Sequence, residues 1–245
     1  MRSIEDILHF REDFSPFLVH LTRSQDTRTA ADILKDILRV KELVAGEQAI
    51  SDAKYGGLTL SMPPAESKKF FGAICLTETP LNEVHCLLEI DNRVVQLEPY
   101  GLVFLKDRLL TRGVSPVLYL NNEQGDKDPV VRALFTLIES DTAAAEKLLP
   151  LIAIFGMKLT APGAAQQTGR TDWRWEREWR LPAAAAPLAF TAADVFIGLC
   201  PEEDIVTFDA RFPPVQFIDP RRNMKWYAKK LIDARQRLDL KHSVV

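Results

Sequence analysis

The chain lacks the motifs on which most enzyme signatures rest. It has no glycine-rich phosphate loop of the P-loop or dinucleotide type, no G-x-S-x-G elbow, no H-E-x-x-H and no C-x-x-C, so kinase, hydrolase and zinc-enzyme readings lose their usual support. Only three cysteines occur, Cys75, Cys86 and Cys200. They sit at no metal-ligand spacing, and their odd number closes no complete disulfide framework. His85 and Cys86 stand together in an apolar stretch without a second ligand pair, and read as packing residues rather than metal ligands. An excess of one charge is also missing: 31 Lys and Arg face 34 Asp and Glu, a net charge of -3. There is no global field to hold a polyanion, and nucleic-acid binding would need a local basic patch. No window approaches the roughly 18 apolar residues of a membrane span, since the greasiest run, L-L-P-L-I-A-I-F-G-M, is interrupted by Pro150. The first residues, M-R-S-I-E-D-I-L-H-F, carry acids where a secretory leader needs an uninterrupted apolar core. Together these absences lead us to expect a soluble protein of a reducing cytoplasm, without a membrane span.

What is present suits an ordinary globular chain, with 47% hydrophobic and 27% charged residues over 245 positions. P-F-L-V-H-L at 16–21 is β-prone. T-A-A-D-I-L-K-D-I-L-R-V follows, with Ile33, Ile37 and Val40 beside Leu34 and Leu38 at helical spacing, and we expect Gly46 to close the helix. Residues 51–67 hold two glycines and two prolines and predict a loop. Strands are expected at 72–78, 100–105 and 115–120. A short helix opened by Pro80 lies between the first two, with Thr79 as its N-cap, and K-D-R-L-L-T-R-G between the last two reads as a helix ending in glycine. D-P-V-V-R-A-L-F-T-L-I-E-S and A-A-A-E-K-L-L-P-L-I-A-I-F-G predict two helices joined around Asp141-Thr142. D-V-F-I-G-L-C and P-V-Q-F-I add short strands, and Glu202-Glu203-Asp204 reads as a turn or helix start after Pro201 rather than a magnesium site. The expected fold is α+β, a central mixed or antiparallel sheet flanked by helices. We expect a single domain over 1–245, its core at about 16–220 and an amphipathic, basic helix at 223–240.

The most unusual stretch is T-D-W-R-W-E-R-E-W-R-L at 171–181, which holds three of the four tryptophans. Read as one strand, it puts Trp173, Trp175, Arg177 and Trp179 on one face, and Arg174, Glu176, Glu178 and Arg180 on the other. One reading is a buried aromatic face with a solvated, self-paired charged face. The other is a pocket-facing carboxylate held ionised by arginines, suited to a sugar hydroxyl or a developing positive charge. Pattern alone leaves both open, along with the choice between Glu176 and Glu178.

The order H-x-T after an N-terminal strand, C-L-T-E-T-P-L, Y-G-L-V-F with a following G-V-S-P-V-L-Y, and W-x-x-E-W-R-L resembles the bacterial abortive-infection AbiGi family over about residues 17–182. That family is described as the antitoxin half of a two-part phage-defence system. More distantly, the same order resembles ADP-ribosyltransferase-like folds. There a first-strand polar residue grips NAD, a central aromatic or hydroxyl residue flanks the nicotinamide, and a late-strand glutamate holds the ribose. The resemblance implies an ADP-ribosyltransferase-like core with added helices. It implies Glu178 as the catalytic carboxylate, His20, Thr22, Thr77, Tyr100 and Arg180 as NAD-binding residues, and NAD as a substrate, with no metal and no further cofactor required. Glycosidic cleavage of NAD passes through an oxocarbenium-like state that a carboxylate stabilises. The Ser-Thr-Ser and second-arginine signatures of some transferases are not identifiable here.

Each residue also has a plainer role. His20 between Val19 and Leu21 suits a structural histidine, and Tyr100 suits the edge of a core. The basic residues Lys225, Lys229, Lys230, Arg235, Arg237 and Lys241, with Trp226 and Tyr227 for stacking, fit either a solvated face or a surface for nucleic acid or an acidic partner. Two functions are therefore expected. One is a phage-defence protein with an NAD- or nucleotide-binding cleft of transferase type. The other is a non-catalytic antitoxin or regulator that binds a partner toxin or nucleic acid.

Overall fold

The computed structural model describes residues 14–25, 27–45, 64–90, 96–157 and 169–240. In chain order these form β1 (Phe17–Leu21), α1 (Ala30–Val40), β2 (Glu42–Leu43), α2 (Pro64–Phe71), β3 (Ala73–Thr77), β4 (Gly101–Leu105) and α3 (Lys106–Leu110). Then come β5 (Ser115–Pro116), β6 (Leu118–Asn122), α4 (Pro129–Ser140), α5 (Thr142–Leu148), β7 (Ile152–Met157) and β8 (Arg170–Thr171). The rest are β9 (Glu178–Pro182), β10 (Leu188–Ala189), β11 (Val195–Leu199), α6 (Ile205–Arg211), β12 (Phe217–Ile218) and α7 (Ala228–Arg237). The class is α+β, with a mixed sheet flanked by helices. Contacts group the chain into two compact units. The first is Met1–Glu42, Leu76–Arg112 and Ala189–Val245, and the second is Leu43–Cys75 and Gly113–Leu188.

In the first unit the strand order is β12, β11, β4, β1 and then the Thr77 end of β3. All neighbours are antiparallel except β11 and β12, which run parallel. Alternation along β1 sends Phe17 and Val19 to one face, where they join Val103, Leu199 and Ile218 and are covered by Leu231 and Ala234 of α7. Between Val195 and Ile197 the β11 register slips, and both Phe196 and Ile197 enter this cluster. The Phe196 ring stacks on Phe17 at 4.4 Å between centroids. Helix α1 begins where Thr29 accepts from the Asp32 amide, and buries Ala30, Leu34 and Leu38 at four-residue spacing. It ends at Lys41, which takes the left-handed conformation with φ 60, so the expected closure by Gly46 is displaced; Gly46 lies outside the described residues.

In the second unit β5 pairs antiparallel with β9, and β6, β7 and β8 form a separate three-stranded sheet. β6 and β7 run parallel with Leu118 opposite Ile152. Asp128 caps α4, and Asp141 both ends α4 and caps α5, which is the expected junction. A second apolar cluster joins Phe70 and Phe71 of α2 to Val131, Leu134, Ala145, Leu149, Ile152 and Ile154.

Several expectations are corrected. The helix expected through Gly156 stops at Leu148. Pro150 cannot continue the hydrogen-bond ladder, a 3-10 turn spans Leu149–Leu151, and the run from Ile152 becomes a strand because β6 offers it a partner. The strand expected at 115–120 is divided at Val117. The helix after Pro80 is a 3-10 helix, Leu81–Leu87, whose cap position is Pro80 itself, without a side-chain cap. The Thr79 hydroxyl instead meets that of Thr77 at 2.7 Å. Within the expected loop at 51–67, residues 64–67 belong to α2 and 51–63 lie outside the described residues.

The largest correction concerns 171–181. The stretch is two strands separated by a 3-10 turn at Arg174–Glu176, and Arg177 takes φ 44 and ψ 51. Asp172 is the cause. Its carboxylate accepts from the Arg174 backbone N–H at 3.0 Å and from the Arg174 guanidinium at 2.7 Å, and its carbonyl accepts from Trp175 Nε1 at 2.8 Å. These local bonds replace a strand ladder. Alternation therefore fails across the stretch. Trp175 is 42% exposed, whereas Glu176, Glu178 and Arg180 are buried.

Candidate functional site

The residues expected to form one site fall into two groups. His20, Thr22, Thr77 and Tyr100 belong to the first unit, and Glu178 and Arg180 to the second.

In the first unit β1 ends beside the start of β4. His20 is half-buried and lies in register with Leu102. Gly101 opposes Leu21, and a Cβ there would stand 2.2 Å from the His20 carbonyl oxygen, so only glycine permits this crossing. Thr22 is buried just past the strand. Its amide donates to the Tyr100 carbonyl at 2.7 Å, and its single hydroxyl proton is shared between the carbonyls of Ala30 at 3.0 Å and Tyr100 at 3.2 Å. Thr22 thus ties β1 to both the first residue of α1 and the approach to β4. Thr77 is similarly occupied, accepting from the Thr79 amide at 3.2 Å as well as meeting its hydroxyl.

Tyr100 points to a different partner. Its hydroxyl donates to Asp204 Oδ2 at 2.6 Å, in the turn after Pro201, and its ring centroid lies 6.2 Å from that of Phe208. Burial raises the tyrosine pKa above its ordinary value, and the Asp204 bond, with the charges of Asp204 and Glu203, raises it further. The phenol stays neutral and donating, so it is a poor base or nucleophile. Nearby Asp219 is buried. Burial disfavours its charge, yet the Arg221 side chain and backbone N–H groups of Arg221 and Glu202 hold its pKa below the usual carboxylate range. Cys200 is buried too, its thiol pushed up to about 12 by burial and by the charges of Asp204 and Asp209. Glu78, within the C-L-T-E-T-P-L motif, forms a 2.7 Å ion pair with Lys106.

In the second unit Glu178 opens β9. Its backbone N–H donates to the Tyr119 hydroxyl at 2.8 Å, and its carbonyl accepts from the Val117 amide. Its two carboxylate oxygens take a fork from Arg180, Nε to Oε1 at 3.0 Å and Nη2 to Oε2 at 2.7 Å. Arg180 Nη1 donates to the carbonyls of Pro150 and Ile152 at 2.8 and 2.9 Å. The side chains are 6% and 3% exposed. Of the four residues expected to share a charged face, Glu176, Glu178 and Arg180 are buried and Glu178 pairs with Arg180, whereas Arg174 is exposed and pairs with Asp172. As arranged, the fork fixes Glu178 as an ionised anchor of β9, because both oxygens already serve a guanidinium.

The basic C-terminal helix is also largely occupied. Lys230 bonds Asp209 at 2.5 Å and the Phe217 carbonyl at 2.8 Å, and Arg237 donates to the carbonyls of Ala192, Val195 and Phe196. Lys229 pairs with Asp233, and Lys241 lies outside the described residues. Among the described residues no cluster of three His, Cys, Asp or Glu is placed to hold a metal, and no helix is long and apolar enough to cross a membrane.

The partners of Tyr100 and Thr22 were missed in the sequence because they are long-range or backbone groups. Asp204 stands 104 positions from Tyr100, and Asp204 shows only as turn chemistry. The pairing of Glu178 with Arg180 does carry a local signal, two residues of opposite charge at strand spacing. Comparison of the chain with protein-family models, curated proteins and solved structures gives no match.

Proposed function

We propose that this chain is a non-catalytic regulator of the abortive-infection type, an antitoxin-like protein that acts by binding a partner, in which the transferase-like residues serve the fold. The observation that carries this reading is the buried fork between Glu178 and Arg180. A transferase glutamate must offer an oxygen to the nicotinamide ribose, whereas here the carboxylate is 6% exposed and both oxygens face a guanidinium that is itself fixed to two carbonyls. Thr22, Thr77 and Tyr100 support the same reading, since each hydroxyl is bonded within the protein. The phage-defence setting rests on the four ordered motifs that resemble the AbiGi family. Three free cysteines suit a reducing cytoplasm.

The test is NAD calorimetry together with a nicotinamide-release assay on the wild type and Glu178→Gln. The regulator gives no NAD heat and no nicotinamide, and Glu178→Gln melts earlier. Turnover by the wild type, lost in a Glu178→Gln protein of unchanged stability, would establish the transferase-type cleft instead.

A further inference from the structure

We draw no further inference here: the strongest candidate, the side-chain cluster of Tyr100, Asp204, Asp219 and Arg221 at the carboxyl ends of the parallel strands β11 and β12, carries none because its groups pair with one another, Tyr100 with Asp204 at 2.6 Å and Arg221 with Asp219 at 2.6 Å, and nothing among the described residues there points to a ligand.

Discussion

Replacing Glu178 with glutamine should destabilise the protein by about 3 kcal/mol. The carboxylate and the Arg180 guanidinium are both buried and meet in two bonds, of 3.0 and 2.7 Å. Glutamine keeps one acceptor but turns an amide N–H toward a guanidinium N–H, so one bond becomes a donor facing a donor and the cation loses its counter-charge. Removing one partner of a buried pair costs about 3–5 kcal/mol, because the remaining charge stays desolvated. The lower end applies, since Arg180 retains the carbonyls of Pro150 and Ile152. For a chain of this size each kcal/mol moves the thermal midpoint by roughly 2–4 °C, giving a fall of roughly 6–12 °C. Differential scanning calorimetry at neutral pH reads it directly. The double variant Glu178→Leu with Arg180→Met removes both charges and should be less destabilised than the sum of its single variants, a coupling a thermodynamic cycle measures. A Glu178→Gln midpoint within about 2 °C of the wild type would refute the reasoning.

Three further perturbations follow from the same geometry. Tyr100 has a raised folded pKa, so its contribution is complete below the unfolded value of about 10 and is lost as pH climbs toward the folded value. Tyr100→Phe should lower stability by about 1 kcal/mol at neutral pH and reduce the alkaline fall, as urea midpoints from pH 8 to 11 would show; an unchanged alkaline slope contradicts this. Ellman's reagent should label exposed Cys86, whose thiol lies 3.5 Å from His85 Nε2, well before buried Cys200, which should react only on unfolding; equal rates in the native protein would be incompatible with the burial described. Gly101→Ala forces a Cβ into the His20 carbonyl and should cost about 1–3 kcal/mol or more by parting β1 from β4, seen as faster amide exchange in those strands.

The parts legible in the sequence were those where one periodicity ran between clear stops. Strands β1 and β11 are short apolar runs bounded by turn chemistry, and the structure places both within a residue or two of their expected positions, while helix α1 starts where its spacing predicts but ends at Val40, short of Gly46. The run Leu148 to Met157 was misread because an unbroken apolar stretch has no period of its own; Pro150 and the waiting edge of β6 decide it. Alternation at 171–181 imitated a strand, but Asp172 bonds locally and Arg177 turns the chain, properties that hydrophobic pattern does not carry. Which charges would be buried was also hidden. Glu178 and Arg180 look like surface residues in sequence, and only the carbonyls of Pro150 and Ile152, some thirty residues upstream, make a buried arginine affordable. The bonds that occupy Thr22 and Tyr100 are equally long-range, so the plainer roles of these residues emerge from the fold rather than from motif spacing.

The most direct test of the regulator account is isothermal titration of NAD into the wild-type chain, followed by assay of the same sample for nicotinamide. The account predicts neither saturable heat nor product, with the protein folded throughout. Saturable binding accompanied by nicotinamide release would contradict it, and would require the Glu178–Arg180 fork to open during turnover.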